Sequence, residues 1–204
     1  MSIFLIRHGE THGNAARIVQ RPDNPLSPRG VAQAERLARR LQAERIAGIL
    51  SSDLTRAVMT AEAIRRATGA PLQYDPLLQE RNFGDLRGTP YADLVSDPFA
   101  LDYEPPNGES WTVFHARVAR AWSLVQQIAD RTEGHLAVVT HGLVCRSLAT
   151  HHLILPDGQD VPLKWENTAL TIVDGPLPWR ASLLNCVAHL DDLEAAPLPN
   201  SGAV

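Results

Sequence analysis

The chain has 204 residues, 44% of them hydrophobic and 21% charged, proportions that fit a folded globular protein and exclude long disorder, collagen-like repeats and a coiled coil. Its 19 Lys and Arg residues against 23 Asp and Glu residues give a net charge of −4, so no overall basic field exists to attract nucleic acid or acidic membranes. The length favours one domain, residues 1–204, and an anionic ligand would need a local cluster of cations.

The hydrophobic pattern predicts an α/β fold. In chain order it indicates strands at residues 3–6, 46–50, 71–74, 136–140, 169–173 and 181–184, and helices at 28–41, from a Ser52-Asp53 cap to Gly69, at 110–131 and at 143–153. The strands are short, apolar and non-alternating, which predicts a three-layer architecture with helices on both faces of a mostly parallel central sheet. Ser27 is the predicted N-cap of the first helix and Pro28 its first residue. Residues 77–108 are predicted to be a long irregular segment, and residues 195–204 a loose tail.

Cysteine usage and the N-terminus indicate where the protein works. Cys145 and Cys186 are far apart and form no C-x-x-C motif, which excludes a disulfide framework and an all-cysteine zinc site. The N-terminus has no basic region, and no stretch approaches the ~18 apolar residues of a membrane span. We therefore expect a cytoplasmic protein without a membrane or nucleic-acid partner. The sequence leaves the oligomeric state open, and a homodimer is one option.

The same dipeptide follows two of the predicted strands. Residues 3–6 lead into Arg7, His8 and Gly9, and residues 136–140 lead into His141 and Gly142. Ligands of open α/β sheets bind beyond the carboxyl ends of the strands, so adjacent strands would place both histidines in one crevice. The glycines would allow the backbone to approach a ligand closely. A repeated His-Gly, once with an arginine beside it, indicates a site rather than two structural histidines.

An ordered set of further segments accompanies these two motifs. They are Arg7-His8-Gly9-Glu10-Thr11 with Asn14, Gln20, Asp23-x-Pro25-Leu26-Ser27-x-x-Gly30, Ser51-Ser52-Asp53-Leu54-x-Arg56-Ala57 with Thr60-Ala61, Leu78-x-Glu80 with Phe83-Gly84, Pro106-x-Gly108-Glu109-Ser110, Val138-Val139-Thr140-His141-Gly142, Asn167-Thr168, and Asn185 with His189-Leu190. The set spans residues 4–190 and resembles the histidine phosphatase superfamily, the phosphoglycerate-mutase-like proteins. The resemblance implies a mostly parallel sheet flanked by helices, a small phosphomonoester as the partner, and no cofactor or metal.

The resemblance also implies roles for individual residues. His8 would be the nucleophile that forms a phosphohistidine, and it would need an acceptor on its other ring nitrogen, which the sequence does not reveal. Glu80 would be the general acid and base, with Glu10 and Glu109 as lesser candidates. The groups that would bind the phosphate are Arg7, Asn14, Arg56 and His141. Candidate specificity residues are Gln20, Arg21 and Glu109. Arg21 stands where a glycine is usual in the family, and its positive charge could bind a second anionic group of the substrate.

Three alternatives remain open from the sequence. The alternating His8, Glu10 and His12, joined by Glu80 and His141, could instead be ligands of a metallohydrolase. A non-catalytic sensor of phosphorylated ligands would keep the binding groups. A mutase would need to shield its phosphohistidine, and mutases of the family carry a longer insertion after the acid–base motif. Only 27 residues separate Glu80 from Gly108, which favours a phosphatase.

Overall fold

A computed structural model describes residues 1–191, so the predicted tail at 195–204 lies outside the described residues. The strands and α-helices, numbered in chain order, are β1 (Ser2–Arg7), α1 (His12–Ala15), α2 (Pro28–Leu41), β2 (Ile46–Ser51), α3 (Thr55–Thr68), β3 (Leu72–Tyr74), α4 (Trp111–Ala129), β4 (His135–Thr140), α5 (Gly142–His151), β5 (Leu170–Asp174) and β6 (Arg180–Cys186). No helix within residues 1–191 is both long enough and apolar enough to cross a bilayer.

The strands form one sheet in the order β3-β2-β4-β1-β5-β6. The first four strands in that order are parallel, and β5 is antiparallel to both of its neighbours. This confirms the predicted mostly parallel α/β fold. Arg7 at the end of β1 pairs with Thr140 at the end of β4, and the His8 amide donates to the Thr140 carbonyl at 3.0 Å. The two His-Gly segments therefore leave the sheet side by side.

Both faces of the sheet are covered, which explains the unbroken apolar runs in β1 and β4. Ile3 and Leu5 belong to the core that β1 shares with α4 and α5. Phe4 and Ile6 belong to the opposite core, which lies under α2 and α3. Because side chains alternate between faces along a strand, a run of four apolar residues is needed to fill both cores.

Three helix ends were predicted from a capping or stop residue, and two of these predictions are confirmed. Ser27 caps α2, with its Oγ accepting from the Gly30 amide at 3.0 Å, and Gly69 ends α3 in a left-handed conformation at φ +72°. The predicted Ser52-Asp53 cap of α3 is wrong. That helix begins at Thr55, and its N-cap residue, Leu54, has no side chain that could cap it. The Ser52 hydroxyl has a different long-range partner, described below.

A buried arginine organises the long segment predicted to be irregular. Three short 3₁₀ turns punctuate it, and the side chain of Arg81 is almost completely enclosed within it. The guanidinium lies 4.0 Å from the centre of the Trp111 ring and donates to the carbonyl oxygens of Pro98, Tyr103 and Glu109 at 2.6–2.9 Å. These bonds tie the segment to the start of α4. The sequence analysis did not identify this role, because a buried arginine has no local sequence pattern.

Candidate active site

A cavity of about 380 Å³ opens at the carboxyl ends of β1 and β4. A volume of this size suits a small-molecule ligand. Arg7 and His8 enter its wall from the end of β1, Arg56 from the first turn of α3, and Glu80 from the start of the long connecting segment. His141 lies at the edge of this group, with its ring centre 5.0 Å from that of His8. The structure therefore brings together the residues that the two motifs predicted to meet.

The ring of His8 is held with one nitrogen prepared for reaction. Its Nδ1 lies 2.7 Å from the carbonyl oxygen of Gly9, which can only accept a hydrogen bond. The ring proton is therefore on Nδ1, and the lone pair is on Nε2. Arg56 donates its Nε–H to this Nε2 at 3.2 Å, so the nucleophilic nitrogen lies beside a cation. The Gly9 carbonyl is the acceptor that the sequence analysis could not name.

The backbone around His8 is fixed by residues far away in the chain. The His8 carbonyl accepts hydrogen bonds from the Asn167 side chain at 3.0 Å and the Thr168 amide at 3.2 Å. The packing of the turn also requires a glycine at position 9. A Cβ at this position would lie 2.6 Å from the backbone oxygen of Gly30, so only glycine lets the turn pack against α2.

Both histidines are kept neutral by their surroundings. Burial, and then the guanidinium groups of Arg56 and Arg7, hold the pKa of His8 well below its usual value. Burial also lowers the pKa of His141, with Arg56 the largest charged contributor. Burial lowers the pKa of Arg56 to about 10, so this side chain still carries its charge at neutral pH. The cavity therefore combines neutral imidazoles with charged guanidinium groups.

Several buried polar atoms of residues at or beside the cavity have no hydrogen-bond partner. Within residues 1–191, the buried side-chain polar atoms without a hydrogen-bond partner are Arg7 Nε, His141 Nδ1 and Trp165 Nε1. Arg7 and Trp165 line the cavity, and His141 adjoins it. Each unpaired buried donor costs about 1–3 kcal/mol, so such a cluster needs an explanation. An anion with several oxygens would supply the missing acceptors.

Two helices also begin at the cavity without a side-chain cap. Leu54, the N-cap of α3, and Gly142, the first residue of α5, both line it. Neither N-cap residue has a side chain bonded to the first amides of its helix, whereas the N-cap residues of the other three α-helices of the described chain do. In α5 the Leu143 amide donates instead to the carboxyl group of Glu80, which is distant in the chain. Exposed amides and the helix dipole favour an anion at such an end. The uncapped helix N-termini and the unpaired polar atoms thus both favour a negatively charged ligand.

Glu80 is the one carboxyl group among the described residues that line the cavity. Its two oxygens accept from the Arg81 amide at 3.1 Å and from the Leu143 amide in the first turn of α5 at 3.3 Å. Burial raises the pKa of Glu80, and this effect outweighs the opposing influence of the amides and of Arg56 and Arg7. A carboxyl group with a raised pKa can hold a proton nearer neutrality and can serve as acid and as base.

Comparisons with known proteins agree with this geometry. The profile of the histidine phosphatase superfamily (branch 1) matches residues 3–176. The chain belongs to this superfamily. It is 33% identical over 207 residues to a protein of Yersinia pestis (strain Pestoides F) named "Probable phosphoglycerate mutase GpmB", covering 94% of this chain and 95% of the relative.

Two solved structures of the superfamily are similar over almost their whole length. The mycobacterial glucosyl-3-phosphoglycerate phosphatase in complex with VO3 has a TM-score of 0.76 and 26% identity, covering 91% of this chain and 99% of that one. The alpha-ribazole phosphatase from Shigella flexneri has a TM-score of 0.78 and 25% identity, covering 92% and 98%. The histidine phosphatase fold therefore extends across nearly all of the described chain.

Asn14 and Gln20 both line the cavity and share one small hydrogen-bond network. Asn14 forms a capping box with Thr11 at the start of α1, and its Oδ1 also accepts from Asn167 at 3.3 Å. The Gln20 Oε1 accepts from the Thr11 hydroxyl at 2.7 Å. Both amide oxygens are thus occupied, which leaves the NH₂ groups of Asn14 and Gln20 as the parts that can donate to a ligand. Asn14 is both a capping residue and part of the cavity wall.

Arg21 and Glu109, two of the predicted specificity residues, are not among the residues that line the cavity. The Arg21 carbonyl accepts from Arg56 Nη1 at 3.1 Å, but its exposed guanidinium lies over the backbone of Gly88. Glu109 forms a two-pronged ion pair with Arg117, with both nitrogen–oxygen distances 2.8 Å. Both residues were predicted from the family resemblance, and in the structure the Glu109 side chain is engaged by Arg117.

The candidate metal ligands are not gathered around His8. Glu10 accepts from Ser27 at 2.8 Å and approaches Arg29 at 3.8 Å, and His12 is exposed on α1. Among residues 1–191, no group of three or more His, Cys, Asp or Glu side chains has the arrangement of a metal site. The alternating residues His8, Glu10 and His12 therefore do not form a cluster of side chains in the folded chain.

Replacing Arg117 with methionine is expected to lower the free energy of unfolding by about 3–5 kcal/mol, since it leaves a mostly buried carboxylate without its partner. Arg117 also donates to the carbonyls of Leu77, Gln79 and Glu80, at 2.7–3.2 Å, so the turn that presents Glu80 should loosen. Urea unfolding measures the loss. The control is Arg65→Met, which breaks an exposed pair with an expected effect of about 0–1 kcal/mol.

The same ion pair predicts a pH dependence of stability. Burial acts to raise the pKa of Glu109, but hydrogen bonds from Arg117 and the Asn82 amide hold it below its usual value. The stabilisation should be complete above the unfolded pKa of about 4.3 and be lost as the pH falls through the lower folded value. If the Arg117 and Arg65 substitutions lowered the free energy of unfolding in urea equally, the stabilising role of the Arg117–Glu109 ion pair would be contradicted.

Proposed function

We propose that the protein is a metal-independent phosphomonoesterase that acts on a small phosphorylated metabolite through a phosphohistidine on His8. The observation that carries the proposal is the state of His8, whose Nδ1 proton is held by the Gly9 carbonyl while the Nε2 lone pair lies beside Arg56. The Nε2 lone pair of a neutral imidazole is a nucleophile once the phosphoryl group displaces the hydrogen bond from Arg56, and the guanidinium groups can then hold the phosphoryl oxygens during attack.

The first half-reaction transfers the phosphoryl group to the enzyme. The Nε2 lone pair of His8 attacks phosphorus in line, and the bond from phosphorus to the ester oxygen breaks. Glu80, whose pKa is raised by burial, acts as the general acid and gives its proton to that oxygen, and the alcohol leaves. Arg7, Arg56 and the unpaired donors around the cavity stabilise the phosphoryl oxygens in the transition state.

The second half-reaction returns the enzyme to its starting state. Glu80, now ionised, removes a proton from water as the water oxygen attacks phosphorus. The bond from phosphorus to Nε2 breaks, the lone pair returns to His8, and inorganic phosphate leaves. One carboxyl group serves both steps because it is deprotonated in the first and reprotonated in the second.

Phosphoglycerate mutase is the second candidate, because relatives from several Yersinia strains, 33% identical to this chain, are named probable phosphoglycerate mutases. A mutase must keep water from its phosphohistidine and rebind the substrate in a second orientation. The connection between Glu80 and Gly108 is short, and two of the similar structures are named as phosphatases. These observations favour transfer of the phosphoryl group to water.

The cavity mouth suggests that the alcohol part of the substrate carries a second anionic group. Among the described residues, the cations that line the cavity are Arg7, Arg56, Arg81, Arg87, Arg146 and Lys164, and its one carboxylate is Glu80. Arg81 is engaged by carbonyls, and Lys164 forms an ion pair with Glu166 at 2.8 Å. Arg87 and Arg146 have no such partner within residues 1–191, so their charge is available for the ligand.

The test is phosphate release from a panel of phosphomonoesters, with and without a second carboxylate or phosphate, in excess EDTA. We expect release that survives the chelator and is faster for the substrates with two anionic groups. An alkaline quench after mixing should trap a phosphoenzyme that is stable to base and labile to acid, as a phosphoramidate is.

Three results would contradict parts of the proposal. Release abolished by EDTA would favour metal-dependent hydrolysis. Phosphoryl transfer between phosphoglycerates without release of phosphate would favour the mutase. Binding of the panel with neither reaction would favour the non-catalytic sensor.

A further inference from the structure

Ser52 is a buried hydroxyl that the mechanism above does not use. It follows β2 and is completely enclosed. Its Oγ lies 2.9 Å from Nε2 of His141, 89 residues away in the chain, and accepts from the Leu54 amide at 3.3 Å. The hydroxyl therefore joins the entrance of α3 to the second histidine of the site.

The hydrogen bonds of Ser52 determine which nitrogen of His141 carries the proton. A serine hydroxyl has one proton to donate, and the Leu54 amide already occupies one of its lone pairs. Because the group is buried, its own proton needs an acceptor, and within residues 1–191 the His141 Nε2 is the partner present. Nε2 must then be unprotonated. The neutral ring consequently carries its proton on Nδ1.

That Nδ1 is one of the three buried polar atoms that have no partner. Its ring lies next to His8, with 5.0 Å between the ring centres. In the tautomer with a proton on Nδ1, this atom is a donor ready for an anionic oxygen. In the other tautomer, a lone pair would occupy the same place and repel the anion.

We propose that Ser52 is a positioning residue that fixes His141 in the Nδ1–H tautomer, so that Nδ1 donates to the transferring phosphoryl group. The donor role of Nδ1 rests on the proposed function. The tautomer that Ser52 fixes is a property of the resting protein and is independent of any reaction.

The tautomer can be measured directly by nitrogen-15 NMR of the histidine side chains, with His141 assigned from the spectrum of His141→Gln. In the resting protein we expect Nδ1 to have the shift of a protonated nitrogen and Nε2 that of an unprotonated one. In Ser52→Ala the two tautomers should mix or exchange, and Ser52→Thr, which keeps a hydroxyl, should restore the original state.

The kinetic readout uses the same variants with Ser51→Ala as the matched control. Ser51 is also buried, but its hydroxyl donates to the Ser52 carbonyl and does not touch His141. We expect Ser52→Ala to lower kcat about 10- to 100-fold, the range for losing a hydrogen bond to a charged group, and Ser52→Thr to recover most of it. Inorganic phosphate should also bind about tenfold more weakly to Ser52→Ala.

The outcomes separate the two proposals. A resting protein with the proton of His141 on Nε2, or an unchanged tautomer in Ser52→Ala, would overturn the role of Ser52. A changed tautomer with unchanged kcat and phosphate affinity would overturn the donor role of Nδ1. If the protein hydrolyses no phosphomonoester but shows the expected tautomers, the proposed function fails and the assignment of Ser52 stands.

Discussion

Replacing His8 with alanine is expected to abolish turnover, with kcat falling by about 10⁶-fold, the scale for loss of a covalent nucleophile. Among the described residues that line the cavity, His8 is the one histidine, and the Gly9 carbonyl holds its ring proton on Nδ1. The base-stable phosphoenzyme should disappear together with phosphate release. Both are measured by rapid quench with a radiolabelled phosphomonoester.

Two controls show whether the His8→Ala result is chemical or structural. His12→Ala removes an exposed imidazole four residues away and should keep full activity. Inorganic phosphate should still bind to His8→Ala, because Arg7 and Arg56 remain, and calorimetry measures this binding. A phosphoenzyme that persists in His8→Ala would place the nucleophile elsewhere and refute the central claim.

Replacing Glu80 with glutamine is expected to lower kcat on alkyl phosphates by about 10²- to 10⁴-fold, the usual contribution of a general acid or base. Glutamine has nearly the same shape and can still accept a hydrogen bond from the Leu143 or Arg81 amide, so the fold should be kept. The phosphorylation step should lose less on p-nitrophenyl phosphate, whose leaving group needs little protonation. Phosphoenzyme should then accumulate, since water is no longer activated.

The pH profile gives a second readout for Glu80. Burial raises its pKa, so the protonated acid persists to a higher pH than for an exposed glutamate. Phosphorylation by alkyl phosphates should decline as the pH rises through this raised value, and Glu80→Gln should lose that decline. Glu10→Gln is the matched control, because Glu10 bonds to Ser27 outside the cavity. A large loss in Glu10→Gln, with little in Glu80→Gln, would reverse the assignment of the acid.

The layers of the fold and the meeting of the two His-Gly motifs could be predicted from the order of residues alone. Unbroken apolar runs at residues 3–6 and 136–140 can fill two cores only in a sheet that is covered on both faces. The Ser27 cap and the Gly69 stop were equally predictable, because each depends on backbone geometry within one turn of a helix. Patterns of this kind depend on residues close together in the chain, so they can be predicted from the sequence.

The partners of these polar side chains could not be predicted from the sequence, because they are set by the packing of distant segments. Ser52 was predicted to cap α3, but its hydroxyl meets His141, and Glu109 was predicted at the substrate, but it pairs with Arg117. The acceptor for His8 is the carbonyl of Gly9, a group that every residue possesses. Hydroxyls, carboxylates and guanidinium groups can pair with many partners, and the choice among them depends on which distant segments the packed cores bring within 3 Å.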